Sequence, residues 1–252
     1  MKKILILVVA STLLFACEKD KNKVKEYKSQ QTVFHGGKIW TSAKVDKDGK
    51  PLSVSIVLND AVLNSVPVGQ PSDHVGHENN IVIPVSEKSG TPFKNVMVNW
   101  NSSGHEPDGV YTLPHFDFHY YMLSQADMAN LNDDVKMNQN LPAADYVPAN
   151  HISPVPGVPM MGRHWLDATS PELNGQAGFT QTFIFGSYDH KVIFYEPMIT
   201  LEFMKANNNY ERSIPQPAKY QVAGYYPTKM KISRHDGVTE IVLDGFVYRQ
   251  AS

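Results

Sequence analysis

Pro114-His115-Phe116-Asp117-Phe118-His119-Tyr120-Tyr121 alternates without a break. His115, Asp117 and His119 share one parity; Phe116, Phe118 and Tyr120 share the other. An extended chain sends successive side chains to opposite faces, so this stretch predicts a strand with an aromatic face and a His/Asp/His face. The aromatic face belongs in a core. The polar face needs partners, because buried titratable groups are costly alone. What those partners are is the functional question.

Working outward, similar short runs recur. Leu52 to Leu58, Ile81 to Val85, Asn95 to Trp100, Phe179 to Gly186, Lys191 to Tyr195 and Ile199 to Met204 all read as strands. Thr228 to Ser233 and Glu240 to Tyr248 read as a terminal hairpin around Asp236-Gly237. Asp60 to Asn64 reads as a helical turn and Ser124 to Leu131 as a short helix. Residues 132–159 carry Pro142, Pro148, Pro154, Pro156 and Pro159, and are expected to form a long Pro-rich loop. Many short strands and little helix predict a mainly β fold, a single-domain β-sandwich or barrel, over residues 33–250.

Composition narrows the function. The chain has 252 residues, a formal charge of −2 and 42% hydrophobic residues, enough for one sizeable core. Near-neutral charge gives no electrostatic footprint for nucleic acid. There is 1 cysteine, so neither a disulfide framework nor a thiolate metal cluster can form within the chain. Gly-x-Ser-x-Gly, phosphate-loop and dinucleotide signatures do not occur in the sequence.

The N-terminus accounts for that cysteine. Lys2 and Lys3 precede the apolar run Ile4 to Phe15, which ends at Leu14-Phe15-Ala16-Cys17. This resembles the lipobox of bacterial lipoproteins, which implies a signal peptide over 1–17 and acylation of Cys17. Residues 18–32 are polar and are expected to be a flexible tether. The expected location is the cell envelope, exported and lipid-anchored at a membrane.

Spacing sets the chemistry. Residues four apart on a strand lie ~13 Å from each other and residues two apart ~6.6 Å. His115 and His119 therefore do not reach one ion together. A metal is expected to take His115 with Asp117, or Asp117 with His119, and to recruit ligands from other strands. His164, between Gly162 and Trp165, and Glu196, inside the apolar run Val192 to Leu201, are the expected additions. His105 and Glu106 form a looser pair. Imidazole and carboxylate ligands without thiolate suit zinc, manganese or iron(II). If the protein is an enzyme, metal-assisted hydrolysis or hydration follows, with Glu106 or Glu196 as base. The competing reading is a non-enzymatic structural protein, in which the His/Asp/His face knits strands, or subunits of a homo-oligomer, together. His74, His77, His151, His190 and His235 read as surface histidines.

His105-Glu106-Pro107, Pro114 to Tyr121, Met161-Gly162-Arg163-His164-Trp165 and Glu196-Pro197-Met198, with Trp40, Asn99-Trp100 and Gly224-Tyr225-Tyr226-Pro227, resemble a family of bacterial secreted proteins and lipoproteins of unassigned activity. The resemblance implies export and a mostly β domain, without a reaction. The strand is also distantly similar to the histidine strands of cupins and α-type carbonic anhydrases. Those place metal histidines two apart, whereas here Asp117 stands between the pair.

Overall fold

The computed structural model describes residues 23–69 and 79–252. The expected signal peptide, Cys17, His74 and His77 lie outside the described residues. The strands form two large antiparallel sheets and a small one. The first holds β1 (Lys25–Lys28), β2 (Thr32–Phe34), β3 (Gly37–Val45), β4 (Pro51–Asn59), β12 (Asn209–Ser213), β14 (Lys229–His235) and β15 (Val238–Asp244). Its order is β1-β3-β4-β15-β14-β12, with β2 also on β3. The second holds β5 (Asn80–Pro84), β6 (Asn95–Asn101), β7 (His115–Tyr121), β8 (His151–Ile152), β9 (Arg163–Asp167), β10 (Gln181–Tyr188) and β11 (Lys191–Thr200). Its order is β5-β6-β7-β11-β10-β9-β8. β13 (Gly224–Tyr226) pairs with β16 (Val247–Arg249).

The sheets stack as a sandwich; no closed barrel forms among the described residues. One apolar cluster fills the space between them. It joins Ile39, Val54, Ile56, Ile232, Ile241 and Leu243 of the first sheet to Val96, Val98, Trp100, Phe116, Phe118, Phe183, Phe185 and Tyr195 of the second. Burial of this apolar area, at about 25 cal/mol per Å², is the main driving force for the stack. Tyr120 crosses the core: its hydroxyl donates to the Ile241 carbonyl (2.6 Å) and accepts from the Ile56 N–H (3.3 Å). The aromatic face of β7 therefore points inward, as its alternation predicts.

The other face of the second sheet is covered by the chain itself. Met128, Leu131 and Met161 pack on Met97, Tyr121, Ile193 and Phe194 at one end. Tyr111, Leu166 and Phe179 pack with Ile184 and Met198 at the other. His115, Asp117 and His119 lie beneath this cover, 0%, 5% and 1% exposed. That face is covered by the chain's own segments.

Three local expectations are corrected, and the expected Pro-rich loop carries short elements of its own. Residues 25–28, expected in the tether, form an edge strand on β3, held by backbone pairing and by Ser42 Oγ donating to Glu26 Oε1 at 2.8 Å. The run Ile199 to Met204 does not stay extended. The Thr200 hydroxyl accepts from the Phe203 N–H (3.2 Å) and caps a helix over Leu201–Ala206. The expected helix after Ser124 shortens to Gln125–Met128, started by a reciprocal Ser124/Asp127 capping box. The Pro-rich segment is ordered: Asp133 caps a helix over Asp134–Asn138, and β8 pairs with β9. Among the described residues no helix is long and apolar enough to cross a membrane.

Candidate metal centre

Register places the site. His115, Asp117 and His119 of β7 face Asn101, Asn99 and Met97 of β6. On the other side Phe194 pairs with Tyr121 and Met198 with Asp117, which sets Glu196 of β11 abreast of His119. Beyond β11 comes Gly186 of β10, and beyond it His164 of β9. A Cβ on Gly186 would lie 1.9 Å from the Phe194 ring, so only glycine lets that ring lie flat across β10. The ring then supports both His119 and His164, at 4.9 and 5.2 Å between centroids. Next to His164, Arg163 ties β9 to the Pro-rich segment. It donates to Ser153 Oγ (2.7 Å), the Ser153 carbonyl (3.1 Å) and Asn138 Oδ1 (3.0 Å).

Two triads result, each of two histidines around one carboxylate. In the first, His105 Nε2 is 3.3 Å from Asp117 Oδ2 and His115 Nε2 is 3.2 Å from Asp117 Oδ1. In the second, His119 Nε2 is 3.2 Å from Glu196 Oε1 and His164 Nε2 is 3.6 Å from Glu196 Oε2. The expected pairing of His115 with Asp117 holds. His119 instead joins Glu196 and His164, so the expected ligands divide between two sets. His105 completes the first set. It sits on the turn between β6 and β7, and its backbone pairs with Tyr111.

All the triad residues except His115 line one cavity of about 80 Å³, walled by Val155, Val158, Met161, Leu166, Ile184 and Met198. Several waters fill such a volume, since one occupies roughly 10–15 Å³ by this measure. Glu106 stands at its exposed rim. Asn101, Asn99 and Tyr111 also line it. Sequence reasoning passed over these three, although the asparagines carry the same parity signal on β6 as the histidines on β7. Asn101 Nδ2 donates to Asp117 Oδ2 at 2.7 Å. The Tyr111 hydroxyl is buried with no hydrogen-bond partner among the described residues, and burial pushes its pKa up, leaving a neutral donor beside the carboxylates.

Charge is unevenly distributed. Burial pushes the Asp117 carboxyl up, but His115 and His105 outweigh this and hold it well below the usual range. Burial opposes charge on His105, and the Asp117 carboxylate overcomes it, so that pKa rises. Burial, and then the Asp117 charge, push Glu196 well above the carboxylate range. Burial and His164 take His119 down to about 3. Burial and His105 take His164 down to about 4. The Glu196 triad is therefore built from neutral imidazoles, the form that binds metals. His151 is buried near Phe185, away from both triads, rather than at the surface.

No protein-family model, curated protein or solved structure matches this chain.

Proposed function

We propose that the cavity binds a divalent first-row metal through His119, His164 and Glu196, and that the protein uses it on a small polar ligand. One observation carries the reading. Two imidazole Nε2 atoms converge on one buried carboxylate. Yet neither ring nitrogen of His119 nor Oε2 of Glu196 has a hydrogen-bond partner among the described residues. A single carboxyl proton can serve only one of the two imidazoles. Leaving buried acceptors facing one another costs roughly 1–3 kcal/mol for each unmet group. One cation satisfies His119 Nε2, His164 Nε2 and the Glu196 carboxylate at once. Imidazole and carboxylate donors favour zinc, manganese or iron(II).

Three protein ligands leave room for water in the coordination sphere, the arrangement of catalytic rather than structural sites. A bound metal lowers the pKa of such a water and makes it a nucleophile. Glu106 at the rim is the base we assign to a hydrolysis or hydration. The small, mostly apolar cavity favours a compact substrate. The lipobox-like Leu14 to Cys17 supports an exported, membrane-anchored setting for this chemistry.

Elemental analysis after zinc loading and gel filtration tests the proposal. Wild type retains metal; His164→Ala and Glu196→Gln lose the ion bound at this triad. Metal content undiminished in both variants ends the reading.

A further inference from the structure

We propose that the cavity is a two-ion centre, with a second divalent cation held by His105, His115 and Asp117; this rests on the metal reading above. The argument starts from tautomers. His115 Nδ1 lies 2.7 Å from the Leu113 carbonyl and His105 Nδ1 lies 2.6 Å from the Glu106 carbonyl. A carbonyl only accepts, so both Nδ1 atoms carry the proton. Asn101 Nδ2 adds a contact to His115 Nε2 at 3.4 Å, which that nitrogen can only accept. Both Nε2 atoms then face Asp117, from 3.2 and 3.3 Å, and Asp117 Oδ1 has no hydrogen-bond partner among the described residues.

A proton can fill one of these gaps. Filling both needs two imidazolium ions against one buried carboxylate, leaving an uncompensated charge. A divalent ion fills both with one particle. Anchoring Nδ1–H on a backbone carbonyl while Nε2 faces the site is how ligand histidines are held. The carboxylate is braced as well, by Asn101. The other triad likewise presents two imidazole Nε2 atoms to one buried carboxylate. Asp117 and His119 are two residues apart on β7, so the ions sit roughly one strand repeat from each other, about 6–7 Å. That spacing is too wide for one bridging water, but a small oxyanion that offers one oxygen to each ion spans it. Two divalent ions against two carboxylates leave the centre net positive, so the ligand class is anionic.

Cobalt(II) is the probe, because its visible bands report imidazole ligation as well as stoichiometry. The full chain is stripped with chelator and titrated with cobalt(II), and bound ions are counted by elemental analysis. Two ions per chain are expected in wild type, and one in His105→Ala or His164→Ala, each with a different half of the visible spectrum lost. The double variant binds none. One ion in wild type, retained in His105→Ala and lost in His164→Ala, overturns the second site while leaving the first reading intact. No ion in wild type overturns both. The wild-type count decides the matter even if a variant fails to fold.

Discussion

In chelator, Glu196→Gln is expected to be more stable than wild type at pH 8 and equal to it near pH 4. Burial and the Asp117 charge hold the folded carboxyl well above its ordinary value of 4.5, at which the unfolded chain titrates. Between those two values the folded protein keeps a proton that the unfolded chain has released. Wild-type stability from this group is therefore fully present below pH 4.5 and is lost as pH rises through the folded value. Each unit of separation removes about 1.4 kcal/mol. Gln has no charge to desolvate, and its amide can donate to an imidazole Nε2. For a chain of this size each kcal/mol moves Tm by about 2–4 °C, so the two melting curves separate by about 3–6 °C per unit. Zinc reverses the order. At a free concentration a hundredfold above Kd, an ion bound only by the folded wild type adds about 2.7 kcal/mol. Scanning calorimetry from pH 4 to 8, in EDTA and then in zinc, reads both effects. A variant less stable than wild type at pH 8 in EDTA refutes the reasoning. The two imidazoles would then already satisfy an ionised Glu196, and the triad would have no unmet demand for a cation.

Gly186→Ala drives a methyl into the Phe194 ring, 1.9 Å from its nearest atoms. Overpacking of this kind costs about 1–3 kcal/mol, and zinc affinity falls because that ring supports His119 and His164. Gly178→Ala is the control: its Cβ meets nothing within 4 Å, so its Tm should stay at the wild-type value. Tyr120→Phe removes the hydroxyl that bonds Ile241 and Ile56 across the core. Its expected cost is about 1–2 kcal/mol by denaturant titration, with metal content unchanged because the ring faces away from the cavity.

The central strand was legible because its two faces differ in chemistry at period two. Glu196 was legible because a carboxylate in an apolar run has to be explained. Two of the strands that were missed share a cause. β1 (Lys-Glu-Tyr-Lys) and β12 (Asn-Tyr-Glu-Arg-Ser) are the two edges of the first sheet. Edge strands carry charge, which discourages pairing with other chains. Glu211 on β12 is paired to Lys229 and Lys231 on β14. Such strands are held by backbone pairing to a neighbour far away in sequence, and polarity hides them. The helix over Leu201–Ala206 was hidden differently, because an apolar run of that length suits strand and helix alike. The split of the ligands into two triads had no sequence signal. It depends on the turn carrying His105 folding back over Asp117, and on Gly186 opening the way between β11 and β9.

The hydroxyl of Tyr120 meets a carbonyl 121 residues further along the chain. β7, which supplies a carboxylate and two imidazoles, is thus braced from behind by a hairpin that is synthesised long after it. Contacts so distant in sequence form slowly, because a long loop must close before they repay it. A nascent chain that stops short of Ile241 owns every proposed ligand but lacks the wall that holds β7 in place. Capture of the proposed metal then belongs late in folding, and removing residues 241–252 should abolish it without touching the cavity.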